Sequence, residues 1–196
     1  INYSVGGGAG LNRPDELAYL FAADAGVFVA TSAGNSGPGA ATIGGPASVP
    51  WLTTVGARTM DRFFEGEAKL AAGGSVKGAS ITLGTSQKVL VDAEFAGGDL
   101  CIPGTLSPSV AGNIVLCRRG AVCRAEKSYA VYLAGGAGMI LYNNSNDDNL
   151  FTDTHWVPSV HVDLTEGLKV KDYIATKPSP KAEIKTGQLS TWKNAP

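Results

Sequence analysis

Residues 27–30 read VFVA, an unbroken apolar run that follows Gly26 and ends at the glycine-rich stretch TSAGNSGPGAATIGGPA, residues 31–47. A strand that is apolar at every position has to be covered on both faces, as strands of parallel sheets are. Parallel neighbours need a crossover connection, and the preceding residues supply one. INYSV, residues 1–5, reads as a short strand. Asn12, Pro14, Asp15 and Glu16 then offer an N-cap, a first-turn proline and acidic residues suited to the positive end of a helix. Leu17, Leu20 and Phe21 share one helical face, and Gly26 is the expected stop. Residues 1–57 are therefore predicted as a parallel βαβ unit followed by a loop. In open parallel sheets ligands collect beyond the carboxyl ends of the strands, so SVGGG (4–8) and TSAGNSGP (31–38) are expected at one rim.

The pattern changes after residue 60. FEGEAKLAAGGSVKGASITLG, residues 64–84, has short strands separated by glycine, which is hairpin grammar. Strand-like and helix-like runs then alternate: VLVDAEF, NIVLCRRG, a helix AEKSYAVYLA stopped at Gly135 and Gly136, MILYN, the polar loop NNSNDDN, VPSVHVD, a helix over 165–174, the turn KPSP and a last strand KAEIKT. This second part is predicted as a mixed α/β, β-rich domain over residues 60–187, with its core at 85–186. The tail GQLSTWKNAP, residues 187–196, has no periodicity and reads as a linker.

Charge excludes some partners. Sixteen basic residues against seventeen acidic ones give a net charge of −1, so no footprint for nucleic acid or an anionic membrane is present. No apolar run approaches the ~20 residues that span a bilayer. The sequence starts inside an apparent strand, without methionine or signal segment, and is read as a piece of a longer chain. Its three cysteines, Cys101, Cys117 and Cys123, are too few for a disulfide scaffold and lack the spacing of a zinc site. One disulfide and one free thiol is the simplest arithmetic.

Asn35 stands alone among glycines in the first loop. A primary amide donates two hydrogen bonds without carrying charge, so a fixed asparagine can stabilise an oxyanion that develops only in the transition state. Any turn contains Asn, Gly, Ser and Pro, so this loop by itself reads as a turn. The set INYSVGG, ATSAGNSGP and IGGPASVPWLTTVGA, in that order and with a helix between the first two, resembles the central part of the subtilisin-like serine proteases, or subtilases. The resemblance implies an oxyanion-hole role for Asn35. It implies that Ser4, Val5 and Gly6 form an edge that pairs with substrate backbone. It places Ser32, Ala33 and Gly34 on a wall of the primary specificity pocket, with Gly44, Gly45 and Pro46 near its base. That family also needs an Asp, a His and a nucleophilic Ser acting as a unit. Residues 1–196 hold no histidine before His155. The expectation is a chain inactive as a peptidase by itself, cut from an active parent.

GNIVLCRRGAVCRAEKSYAVYLAGGAGMILYNN, residues 112–144, is similar to the core of the protease-associated (PA) domain, which subtilases carry as an insertion between the oxyanion loop and the serine motif. The fold class implied is α/β: a partial subtilisin-like βαβ segment over residues 1–59, a PA domain over 60–187, and a linker back to the catalytic domain over 188–196. By analogy with subtilases that carry a cysteine just before this core, Cys101 pairs with Cys117 and Cys123 is free. Cys101–Cys123 is the rival, because some PA domains carry a cysteine after the RG turn, and Cys117–Cys123 is the third choice. Any of these bonds implies a secreted, extracellular protein. The PA resemblance implies a module beside the protease cleft that gates or binds protein substrates, or supports a homodimer. The expected partners are protein or peptide substrates and the remainder of the parent, with no nucleic acid, membrane or cofactor; any calcium is expected in the parent and is assignable to no residue here.

In DTHWVPSVHVD the residues Asp153, His155, His161 and Asp163 stand at odd positions and invite a metal reading. In an extended chain His155 and His161 are ~20 Å apart, and the ligand number left at His161 and Asp163 is insufficient. The loop NSNDDN lacks the spacing and closing glutamate of a calcium loop and reads as solvated. Asn143 is the glycan candidate of two N-x-S triplets, because Asn2 falls in a strand expected to be buried. Arg118, Arg119 and Arg124 read as an exposed charged turn.

Overall fold

The structure is a computed structural model that describes residues 1–37, 39–58, 60–72, 74–146 and 149–191. The chain divides into two compact units, residues 1–60 and residues 61 onward.

In the first unit, β1 (Asn2–Tyr3), β2 (Ala30–Ser32) and β3 (Thr53–Val55) form a parallel sheet in that order, with Asn2 opposite Ala30 and Ala30 opposite Thr53. The helix α1 (Pro14–Asp24) is the crossover between β1 and β2, which is the βαβ unit read from the sequence. Its boundary differs by one residue from the expected one. Arg13, not Asn12, is the N-cap; it is extended (φ −74°, ψ 142°) and makes no capping hydrogen bond through its side chain. The cause is Pro14, whose ring disfavours the helical region for the residue before it. The apolar run is not buried throughout either. Val29 is 3% exposed, but Val27 and Phe28 are 41% and 71% exposed, and Phe21 on the apolar helix face is 71% exposed. A three-stranded sheet with one helix has too few layers to cover both faces of its central strand.

The second unit is a closed sheet. The strands are β4 (Arg62–Leu70), β5 (Gly74–Ala79), β6 (Thr85–Asp92), β7 (Ile114–Arg118), β8 (Gly138–Tyr142), β9 (Ser159–Val162), β10 (Lys181–Ile184) and β11 (Gln188–Thr191). They run in the order β10-β6-β7-β8-β9-β5-β4-β11, and β10 also pairs with β4. Seven strands thus close on themselves, which removes open edges. The expected hairpin is β4–β5, antiparallel with Gly66 opposite Gly78. The centre, β6-β7-β8-β9, is parallel, connected through α2 (Arg124–Leu133) between β7 and β8. The helix α3 (Leu164–Thr176) follows β9. The stretch 188–191, aperiodic in sequence, forms β11 along the first half of β4; the rest of the expected linker lies outside the described residues.

Two apolar layers flank the parallel strands. Ile114, Leu116, Ile140 and Tyr142 pack with Val170 and Tyr173 of α3 on one side. Val115, Cys117, Met139 and Leu141 pack with Val131 of α2 on the other. Alternate residues of β7 and β8 therefore enter different layers, and both strands are apolar nearly throughout because both faces are covered. Asp163 caps α3, its Oδ1 accepting from the Glu166 N–H at 2.7 Å.

Candidate functional site

The first unit carries a cleft of about 450 Å³ at the carboxyl ends of β1 and β2. Ser4, Gly6, Ser32, Ala33, Gly34 and Asn35 all line it. Gly44 and Gly45 line it as well, so residues from three separate sequence motifs converge on one space. Val5 is 58% exposed and stands outside the lining.

Backbone hydrogen bonds hold these segments together. The Gly7 N–H donates to Gly45 O at 2.8 Å and the Gly45 N–H to Gly7 O at 3.1 Å, which ties the glycine loop after β1 to the loop before β3. The Ala33 N–H donates to Val55 O at 2.9 Å, extending the β2–β3 pairing to the start of the AGN turn. Beyond Ala33 the chain leaves the sheet through Gly34, whose φ of +86° suits glycine. Asn35 follows and is exposed, and its side chain makes no hydrogen bond among the described residues. Its amide donors are thus free at the mouth of the cleft. The Gly45–Pro46 peptide is cis.

One buried residue beside Gly45 is marked in the sequence only as a favourable charge near a helix start. Glu16 is fully buried, and neither carboxylate oxygen has a hydrogen-bond partner among the described residues. Its Oε1 lies 2.6 Å from the place a β-carbon on Gly45 would occupy. The signal that could have found it is helical spacing: Glu16 shares a face with Tyr19 and Leu20, both partly buried.

In the second unit Cys101 and Cys117 are joined by a disulfide with Cα atoms 5.8 Å apart, and Cys123 is a free, exposed thiol. The bond lies inside the layer packed against α2. Lys127 braces the same region: it is fully buried, and its ammonium donates to Gly120 O at 2.7 Å and to Leu100 O. Burial pulls its pKa down to about 8.

The residues of the metal reading are each engaged elsewhere. Asp153 is held by Arg124, with Nη2 to Oδ1 at 3.1 Å, and that hydrogen bonding lowers its pKa. Asp163 caps α3. His161 is 1% exposed; its Nδ1 accepts from the Phe151 N–H at 3.0 Å, so the proton sits on Nε2 and is donated to Asn143 Oδ1 at 2.7 Å. Burial lowers the His161 pKa to about 4. His155 Nδ1 is 3.0 Å from Ser128 Oγ. Ser128 is fully buried and donates to Ala125 O while accepting from the Trp156 N–H. A serine enclosed and saturated in this way is a structural staple rather than a nucleophile. No group of three metal-ligating side chains occurs among the described residues.

Two further expectations are corrected here. Asn143, the glycan candidate, is fully buried and bonded to His161, because it continues β8 and its side chain is carried under the following loop. The arginines do not form a free charged turn: Arg118 pairs with Asp99, Arg124 pairs with Asp153, and Arg119 and Arg124 lie over the Phe151 ring at 5.5 and 4.0 Å. The calcium reading of NSNDDN falls partly on Asp147 and Asp148, outside the described residues.

A sheet closed around parallel strands, with a helix on each face and one disulfide, defines the second unit as an α/β module of the PA type. The model of the family described as "PA domain" matches residues 69–170, and the chain belongs to that family. Over both units the sequence is similar to that of subtilisin-like proteases. Subtilisin-like protease SBT1.6 of Arabidopsis thaliana is 38% identical over 94% of this chain and 26% of its own length. SBT1.4 of the same plant is 46% identical over 81% of this chain and 21% of its own. The chain thus spans about a quarter of the length of the curated relatives it matches. Among solved structures, the psychrophilic subtilisin-like protease Apa1 from Pseudoalteromonas sp. AS-11 aligns with a TM-score of 0.45 at 18% identity, over 96% of this chain and 55% of that one.

Proposed function

We propose that this chain supplies the oxyanion donor and substrate-binding edge of a secreted subtilisin-like serine endopeptidase, together with a PA domain that gates or binds its protein substrates. The observation that carries this reading is the placement of the free Asn35 amide at the mouth of a cleft lined by Ser4, Gly6 and Ser32–Gly34. In the proposed chemistry a substrate backbone lies along residues 4–6 and adds a strand to the edge of β1. The attacked carbonyl oxygen turns toward Asn35, and a side-chain N–H of the amide donates to it as it becomes an oxyanion. The glycines nearby leave room for that approach. The Asp, His and Ser of the triad come from the parent outside residues 1–196, so the isolated chain is inactive as a peptidase. The test is Asn35→Ala in the full-length protease. Unchanged peptide hydrolysis there, or labelling of the 196-residue chain by a serine-directed fluorophosphonate, refutes the proposal.

A second reading, a non-catalytic protein-binding or dimerisation module, draws support from a cluster of exposed rings on the PA unit. Trp156 stands 4.9 Å from Tyr129 and 5.8 Å from Tyr132, and Trp156 and Tyr132 are 59% and 53% exposed. It is favoured if the full-length protein shows no serine-directed labelling at all.

A further inference from the structure

We propose that Asn35 is a site of spontaneous deamidation, through which the oxyanion donor turns into a carboxylate and the parent protease switches itself off. The consequence for activity rests on the endopeptidase reading above, whereas the modification itself does not.

The chemistry sets the conditions. The main-chain nitrogen of the residue after an asparagine attacks the side-chain Cγ, and the bond from Cγ to the amide nitrogen breaks. That nitrogen leaves as ammonia, taking the proton that the attacking nitrogen gives up. The cyclic imide left behind takes up a water molecule and opens to aspartate or isoaspartate. Attack therefore needs a carboxamide that no other group holds, a following N–H with no acceptor, a small following side chain, and a backbone free to turn the two groups toward each other.

Asn35 meets each condition. It is exposed, and its side chain makes no hydrogen bond among the described residues. The next residue, Ser36, is small, exposed and not β-branched. Its N–H donates to no acceptor among the described residues. The pair stands on a bend between Gly34, with φ of +86°, and Gly37, so its neighbours restrict the backbone little. Other asparagines fall short. Asn143 is fully buried and bonded to His161. The Asn113 amide donates to Ser109 O at 3.0 Å and precedes the β-branched Ile114. Asn144 is the nearest rival, since a serine follows it too, but Ser145 is half-buried and held by an interaction of its own.

Position gives the modification its effect. Asn35 and Ser36 both line the cleft. An ionised aspartate accepts hydrogen bonds and cannot donate them. Its charge also has the sign of the oxyanion, so stabilisation of the transition state turns into repulsion.

The test holds the full-length protease at pH 6 and at pH 9 and samples it over time. Tandem mass spectrometry of each digest measures aspartate and isoaspartate at Asn35 and at Asn144, and kcat per intact molecule is measured on the same samples. Conversion at Asn35 is expected to outrun that at Asn144 and to be faster at pH 9, because the attacking nitrogen must lose its proton. Activity is expected to fall in proportion to conversion at Asn35. In Ser36→Val a β-branched side chain crowds the attacking nitrogen, and conversion is expected to slow by about tenfold. Conversion at Asn35 no faster than at Asn144, or a rate unchanged in Ser36→Val, overturns the proposal; the first comparison needs no variant and stands if Ser36→Val does not fold. Conversion at Asn35 with activity intact overturns the oxyanion reading and the switch with it, whereas an active protease that keeps its Asn35 amide at pH 9 overturns this inference alone.

Discussion

Glu16 and Gly45 meet with no side chain between them: a β-carbon on Gly45 would lie 2.6 Å from Glu16 Oε1 and 2.5 Å from Gly8 O. The second contact is with backbone, which cannot swing aside as the end of a flexible side chain can. Gly45→Ala is therefore expected to destabilise the first unit by about 1–3 kcal/mol, the usual cost of overpacking a close contact. Thermal unfolding of the full-length protein followed by circular dichroism checks this. An unchanged transition would show that the Gly7–Gly45 bridge shifts freely to make room.

Asn35→Ala in the full-length protease is expected to lower kcat far more than it raises KM, because the oxyanion exists only in the transition state. The expected size of the effect is that established for the corresponding donor of subtilisin itself, ~10²–10³ in kcat. Steady-state kinetics on one peptide separates the two parameters.

His161 predicts a loss of stability in acid. Its folded pKa of about 4 lies below the ordinary value of 6.5, because burial disfavours the imidazolium. Between those values the unfolded chain binds the extra proton. The contribution is present in full above pH 6.5 and is lost as pH falls to about 4, up to about 3 kcal/mol in all. Burial also lowers the His155 pKa, which adds in the same direction. Denaturant midpoints between pH 7 and 4 should fall for the wild type and fall less for His161→Gln.

The Cys101–Cys117 disulfide closes a loop with a sequence separation of 16. In the chain-entropy account a loop of that size stabilises by about 3 kcal/mol. Replacing both cysteines by alanine should lower the midpoint of the PA unit accordingly, while Cys123→Ser leaves it unchanged. Both bonded cysteines are fully buried, so mild reductant acts slowly on the folded protein. Mass spectrometry after alkylation reads out which thiols have reacted.

Amide hydrogen exchange on the 196-residue chain should show weaker protection in residues 1–57 than in residues 85–186. The first unit leaves Phe21, Phe28 and Leu11 more than half exposed and its sheet has two open edges, whereas the second closes its sheet through the β4–β10 pairing. Protection tracks such differences in local packing. Equal protection in both units would contradict this.

The helices and most strands are legible in the sequence because their signals are local. The run AEKSYAVYLA ahead of Gly135 marks α2, and the apolar strands β7 and β8 imply cover on both faces, which α2 and α3 provide. The strand β11 is not legible, since QLST has no alternation of its own and pairs only because β4 extends past the end of β10. At the cleft, the order of three motifs brings Ser4, Gly6, Ser32–Gly34 and Asn35 to notice. Glu16 escapes because the rule for acidic residues in a first helical turn explains it equally well.

What the sequence by itself determined is therefore what depends on short range and pattern: the βαβ order, the hairpin, both PA helices and the loops that carry the candidate site. Only the tertiary structure decided which side chains lose contact with water. Asn143 went from an exposed acceptor to a buried partner of His161, the candidate metal ligands were engaged by Arg124, Ser128, Asn143 and a helix end, and Glu16 became a buried carboxylate under Gly45. Burial is set by chain segments remote in sequence that approach through the sheet, as residues 7 and 45 do, and no local pattern encodes that approach.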